Sequence, residues 1–277
     1  MPFKNQNVVI TGGTSGIGLE LARQLAAMGS NLFILARSAD KLEEVRAELE
    51  LDFPGISQVY PVDVVHAEQV ANVIAQIIEN SGVPDVLINS AGVAHPGYVQ
   101  DLDLEIFHWM MDVNYFGTVN VIKAVLPGMM ERGSGYIVNI ASMSAAIGLL
   151  GYSAYGASKF ALRGFSDALR METKPHGIRV SIVYPADTNT PQLQYENKYK
   201  PIELKKIINM LPATDPVPPE KLASQILIGI ERKKEVIMPD TGMALLFKLV
   251  NILGNGVYPV LDWLLRRARD EGQTSSI

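Results

Sequence analysis

A tyrosine and, four positions later, a lysine stand in the run GYSAYGASKFA at residues 151–161. On a helix that spacing puts Tyr155 and Lys159 on one face. A phenol with an unperturbed pKa of about 10 is a poor proton donor or base at neutral pH unless something stabilises its anion, and a nearby ammonium does so. The pair therefore reads as a general acid/base and its tuner. Ser142, in Asn139-Ile140-Ala141-Ser142-Met143-Ser144, offers a hydroxyl to hold and position a substrate oxygen, with Ser144 as the fallback. Asn114, in Asp112-Val113-Asn114-Tyr115, interrupts an otherwise apolar helical pattern, where this poor helix former suits a bulge or a bound water. Singly, such a Tyr and Lys pair decorates a surface and a serine after a strand caps a turn. Together they make a site if the fold brings them to one edge.

Short β-branched runs alternate with longer helical patterns: Val8-Val9-Ile10, Leu32 to Leu35, Val59 to Val62, Val86-Leu87-Ile88, Tyr136 to Ile140 and Arg179 to Val183. Near-continuous apolar strands of this kind predict a parallel sheet covered on both faces, hence a doubly wound α/β fold of Rossmann type. Ile17, Leu21 and Leu25 recur at helical spacing before Gly29, a C-terminal cap. Further helices are predicted at 41–51, 67–80, 103–131, 153–174 and 219–232. Residues 185–218 form a long excursion after the sixth strand, and 242–265 are much more apolar than the rest, followed by Arg266, Arg267 and Arg269. The expected layout is one domain over 1–240, with 185–218 as a substrate lid, and an apolar extension over 241–277.

Thr11-Gly12-Gly13-Thr14-Ser15-Gly16-Ile17-Gly18 follows the first strand and opens the first helix. Glycines let the backbone approach a pyrophosphate and the helix N-terminus holds it, which makes Gly12, Thr14, Ser15, Gly16, Ile17 and Gly18 candidate dinucleotide contacts. Arg37 stands at the end of the second strand, where an acidic residue would select NAD; arginine there favours a 2′-phosphate, hence NADPH/NADP+. Asp63 follows the third strand, where it would accept from the adenine amino group, and Asn89, Ala91 and Gly92 follow the fourth beside the nucleotide. With a dinucleotide in place, the positive ring of an oxidised nicotinamide would add to the field on Tyr155, and Lys159 would also hold the nicotinamide ribose.

Composition narrows the remaining classes. The 277 residues carry a formal charge of −5, which gives no electrostatic case for nucleic acid. The absence of cysteine excludes disulfides, thiolate metal sites and cysteine nucleophiles, and His66, His95, His108 and His176 are scattered without metal-ligand spacing. The first residues run from a short polar lead into a strand, without the apolar core of a secretory signal, so a cytoplasmic location is expected.

Over roughly residues 5–240 these motifs together resemble the short-chain dehydrogenase/reductase family, matching at Thr11 to Gly18, Asn89 to Gly92, Asn114, Ser142, Tyr155 and Lys159. The resemblance implies hydride transfer from the nicotinamide, with Asn114, Ser142, Tyr155 and Lys159 as a catalytic tetrad and Tyr155 giving a proton to a carbonyl oxygen. Two departures stand out. Ser90 replaces the second asparagine of the usual Asn-Asn-Ala-Gly, and Tyr184-Pro185-Ala186-Asp187-Thr188 replaces the family's Pro-Gly, with Pro185 and Thr188 still expected to contact the cofactor. The family's subunit-pairing helices are similar to 103–131 and 153–174, which implies a homo-oligomer.

The segment from Tyr184 to Pro201 resembles the corresponding part of the 3-ketodihydrosphingosine reductases, with Pro-x-Asp-Thr-x-Thr-Pro, then Glu-Asn and Lys-Pro. This implies NADPH-dependent reduction of a lipid ketone, 3-ketosphinganine, on the cytosolic side of a membrane. Another apolar carbonyl remains open as substrate, as does a non-catalytic NADPH-sensing role, against which the intact Tyr155, Lys159, Ser142 and Asn114 argue. Ile202, Leu204, Ile207, Ile208, Met210 and Leu211 would cover an alkyl chain or simply pack the lid onto the sheet. For 242–265, Gly254-Asn255-Gly256 and the polar residues Lys248, Asn251 and Asp262 disfavour one straight transmembrane helix. Two amphipathic helices in peripheral membrane contact fit better, with Tyr258 and Trp263 at the headgroups; a dimer contact or a wall of the substrate pocket are the alternatives.

Overall fold

Seven short strands, rich in valine, isoleucine and leucine, build one sheet: β1 (Asn7–Thr11), β2 (Asn31–Ala36), β3 (Ser57–Pro61), β4 (Val86–Asn89), β5 (Gly135–Ile140), β6 (Ile178–Val183) and β7 (Val236–Ile237). The computed structural model describes residues 3–210, 215–239 and 241–273. Every pairing is parallel, in the order β3-β2-β1-β4-β5-β6-β7. The order in which strands are added reverses between β1 and β4, and a crevice opens there at the carboxyl edge of a doubly wound sheet.

Alternate side chains of each strand feed two cores. Val8, Ile10, Leu32 and Ile34 meet the apolar stripes of α1 (Gly16–Ala27), α2 (Ala39–Asp52) and α9 (Pro219–Glu231). Val9, Phe33, Leu35 and Leu87 meet α3 (Ala67–Ser81), α5 (Gly117–Arg132) and the end of α6 (Ser153–Thr173). A parallel strand buried on both faces must be apolar at successive positions, which is why the sequence shows runs rather than alternation.

The long helix expected at 103–131 is divided. α4 (Leu104–Met111) passes through a π-helical turn, Asp112–Phe116, into α5. The bulge expected at Asn114 is present, and it gives that buried side chain partners outside its own helix. α6 buries a polar face along which three hydroxyls bond to the helix's own carbonyls: Ser158 donates to the Tyr155 carbonyl at 2.7 Å, Ser166 to Leu162 at 2.7 Å and Thr173 to Leu169 at 2.8 Å. Asn139 on β5 bridges the sheet to this face, accepting from Asn89 and donating to Ser166, each at 2.9 Å.

The excursion after β6 is largely helical. Thr190 caps α7 (Pro191–Tyr199) by accepting from the Leu193 amide at 3.3 Å, and Pro191 occupies the first helical position. α8 (Ile202–Met210) follows, docked by a hydrogen bond of 2.6 Å from Tyr98 to Glu203. The apolar C-terminal stretch becomes α10 (Thr241–Leu253), a 3-10 turn (Gly254–Val257, with Gly254 at φ +51°) and α11 (Tyr258–Gln273). One face of this pair packs on the body: Phe247 against Tyr184, and Leu264 with Ala268 against Ile207. The other exposes Leu245, Leu249, Ile252, Tyr258 and Trp263. By length and composition the helical run Ala244–Asp270 is sufficient to cross a bilayer.

Candidate active site

The crevice at the sheet's carboxyl edge has a volume of about 790 Å³ and runs from the end of β2 to α7 and α8. At one end the turn after β1 is shaped by close approach. Gly12 has φ +69°, and a Cβ on it would lie 2.8 Å from the backbone of Ala91. A Cβ on Gly18 would meet the Gly12 carbonyl oxygen at 2.4 Å, so Gly18 closes the turn from behind and does not line the cleft. Ser15, at the N-cap of α1, uses no side chain to cap it, which leaves the helix's first amides directed at the cleft beside Thr14, Gly16 and Ile17. Thr11 accepts from the Ser90 and Ala91 amides, both at 3.1 Å, and so fixes the loop after β4 along the same wall.

Arg37 lies exposed on the rim at the end of β2. Lys41, one turn into α2, and Ser38, the α2 N-cap, share that rim. Lys41 escaped the sequence reading, although a second cation four residues beyond Arg37 at a helix start is a usable signal. Asp63 lines the cleft, but its carboxylate also accepts from the Val65 amide at 3.1 Å, so it shapes the loop after β3 as well. Asn89 is buried away from the cleft, and its side chain serves the sheet through Asn139. Gly92, Pro185 and Thr188 line the cleft, with Thr188 turned back to the Ala186 carbonyl at 2.8 Å.

Tyr155 and Lys159 sit one turn apart on the buried face of α6, and both line the cleft with Ser142. Lys159 Nζ donates to the Ile140 carbonyl at 3.1 Å. Asn114 stands one layer behind them. Its Oδ1 accepts from the Val93 amide at 2.8 Å, while its Nδ2 donates to the Val93 carbonyl and to Ser158 Oγ, each at 2.9 Å. A Cβ on Gly92 would lie 3.2 Å from Asn114 Oδ1 and 3.4 Å from Lys159 Nζ, so these groups converge on one point.

The electrostatics differ from the sequence expectation. Burial raises the Tyr155 phenol well above its ordinary value, the Glu196 charge pushes the same way, and the Ser142 hydroxyl pulls partly back. The acidification expected from Lys159 does not govern the phenol in the protein by itself, because loss of solvent dominates. Lys159 is brought down to about 8 by desolvation, against the opposing pull of Glu196. Glu196, on α7, also lines the cleft, and Tyr152 donates to it at 2.5 Å. Of the apolar lid residues, Ile208 reaches the cleft; Leu204 and Ile207 pack inward and Ile202 is exposed, while Leu211 lies outside the described residues. Leu246, from α10, joins the wall.

A lysine with a folded pKa below its unfolded value penalises folding while both states are charged. That penalty is full below pH 8 and is relieved as pH rises through 8 toward 10.5. Buried tyrosines reverse the trend above about pH 10, where the unfolded chain ionises first. Urea unfolding of the dinucleotide-free protein should therefore show stability rising between pH 8 and pH 10, by on the order of 2 kcal/mol, and Lys159→Met should flatten the rise. Equal slopes in the two proteins would mean that Lys159 is not held out of water.

The comparisons with known proteins agree with this geometry. A family model described as short chain dehydrogenase matches residues 6–201. The 3-ketodihydrosphingosine reductase of Bos taurus is 40% identical over 225 residues, 80% of this chain and 67% of the bovine protein. The protein of the same name from Dictyostelium discoideum is 37% identical over 274 residues, 93% of this chain and 80% of that one. Among solved structures, ElxO with NADP bound matches with a TM-score of 0.77 at 27% identity, covering 87% of this chain and 99% of its own. A phosphate turn, a tyrosine and lysine one helical turn apart, and a family match over most of the chain converge: the protein belongs to the short-chain dehydrogenase family.

Proposed function

We propose that this protein reduces 3-ketosphinganine to sphinganine with NADPH. The observation that carries the reading is the meeting of Tyr155, Lys159 and Ser142 in the same cleft as the α1 N-terminus and the cationic rim. The printed activity of the bovine and Dictyostelium relatives supports the substrate, and ElxO with bound NADP supports the cofactor. Gly12, Gly16 and the uncapped amides of α1 suit a pyrophosphate; Arg37 with Lys41 suits a 2′-phosphate.

NADPH supplies the hydride. The protein's own part is to hold the ketone oxygen and to deliver a proton to it. Ser142 orients that oxygen, and Tyr155, which burial keeps protonated, donates to it. Lys159, with Nζ 5.8 Å from the centre of the Tyr155 ring, places a cation near the phenol and stabilises the phenolate left behind. Asn114 fixes the Val93 backbone and Ser158, and through them the loop and helix that carry the site.

The catalytic part occupies residues 1–240 in this reading, and 241–277 serves as an attachment element on the cytosolic face of a membrane. The exposed apolar face of α10 and α11 lies on the lipid, with Trp263 beside the Arg267 guanidinium at 5.6 Å. Leu246 of α10 also lines the cleft, so the attachment element adjoins the site where the substrate's chain would enter. Exposed Phe116 and Phe160 offer a contact for a second copy.

Tyr155→Phe should lower kcat/KM for 3-ketosphinganine by about 10³-fold in an NADPH-oxidation assay, with NADPH affinity retained; an unchanged rate would remove Tyr155 from proton transfer. Arg37→Asp should weaken NADPH about 10-fold or more and leave NADH unaffected, since one charge-assisted contact to phosphate is lost. Equal weakening of both dinucleotides would argue against the 2′-phosphate role. In vesicle flotation the protein should rise with liposomes containing anionic lipid, and the double variant Leu249→Asp, Ile252→Asp should not. Flotation indifferent to that change would exclude α10 as the attachment.

A further inference from the structure

Among the described residues, four carboxylates border the cleft: Asp63, Asp187, Glu196 and Asp215. Asp63 belongs to the loop after β3, at the far end from Tyr155, and Asp215 is exposed between α8 and α9. Asp187 is half exposed and ion-paired at 3.2 Å with Lys200, whose side chain is almost wholly buried. Glu196 differs from all three. It is 8% exposed, and its hydrogen-bond donors are neutral: Tyr152 at 2.5 Å on Oε2 and Gln192 at 3.0 Å on Oε1. An ionised carboxylate has about four acceptor positions, so two donors leave room for another.

Its position is as informative as its burial. Tyr152 and Tyr155 stand at the start of α6 with ring centroids 5.5 Å apart, so a carboxylate bonded to the first phenol lies beside the second. The charge of Glu196 acts on both Tyr155 and Lys159, raising each. Burial raises the Glu196 carboxyl above its ordinary value, against the pulls of Tyr152, Gln192 and the unbonded Lys200 charge, and a cation delivered by a ligand offsets that cost. In 3-ketosphinganine the amine is on the carbon next to the carbonyl, so a ketone oxygen at Tyr155 carries an ammonium nitrogen to the same neighbourhood.

We propose that Glu196, oriented by Tyr152 and Gln192, is the subsite that binds the substrate's α-ammonium group and selects amino ketones over neutral ones. The inference rests on the reaction proposed above. Occupation by an ammonium would also cancel the negative field on Tyr155, tying binding of the correct head group to release of the phenolic proton.

The test compares kcat/KM for 3-ketosphinganine with that for the 1-hydroxy-3-ketone of equal chain length lacking the amine, with NADPH, in the wild type, Glu196→Gln and Glu196→Asp. The wild type should prefer the amino ketone by about 10- to 100-fold, the range expected for a hydrogen-bonded charge pair. Glu196→Gln should lose most of that preference through a raised KM, with Glu196→Asp intermediate, and NADPH titration reports whether each variant is folded. Product inhibition of the wild type reads the subsite without any substitution: sphinganine should bind more tightly than the matching diol without the amine. A Tyr152–Glu196 bond that merely latches the lid would slow both ketones alike and leave the preference intact, which overturns the subsite while the reaction stands. Equal inhibition by the amine and the diol overturns it as well. A wild type that reduces neither ketone removes the proposed reaction, and the subsite with it.

Discussion

An ammonium group held almost entirely out of water is the constraint around which this site is organised. Lys159 is 4% exposed, with one backbone carbonyl as its hydrogen-bond acceptor. Such a group persists only where the surrounding structure fixes it, and the buried polar face of α6 does so. Ser158, Ser166 and Thr173 satisfy their hydroxyls on the helix's own carbonyls, while Asn114 and Asn139 tie that face to the π-helical turn and the sheet. The same packing buries the Tyr155 phenol and keeps its proton on, the resting state that the proposed reaction requires.

Much of this was legible in the sequence because each signal has a local cause. Strand runs such as Val8-Val9-Ile10 report burial on both faces, and the glycines from Gly12 to Gly18 report a turn at a helix start. Asn114 stood out as a poor helix former in an apolar stretch, and a π-helical turn is what it serves. Tyr155 and Lys159 needed only helical spacing to be placed on one face.

What escaped the sequence depends on contacts between distant segments. Asn89 follows a strand at the right edge, yet its side chain points into the sheet toward Asn139, fifty positions on. The partnership of Tyr152 with Glu196 joins residues 44 apart through α7, and no pattern along the chain announces it. The field on Tyr155 was misjudged because spacing shows which charge is near but not how much water has been lost. The helices of the lid had a readable start at Thr190-Pro191, which the surrounding prolines and polar residues obscured.

These features assign the two ends of the cleft to different tasks. Backbone amides and exposed cations line the cleft near β1 and β2, where the proposed reaction would put the phosphates; buried hydroxyls, one lysine and one glutamate line it near α6 and α7, where it would put the reacting head group. The measurement that tests this assignment most directly is a crystal structure of the protein with NADP+ and sphinganine. The account predicts the Tyr155 hydroxyl within about 2.6–3.2 Å of the alcohol oxygen formed from the ketone, the distance proton transfer requires. An alcohol oxygen turned away from Tyr155, with the dinucleotide elsewhere than along Gly12 to Ile17, would contradict it.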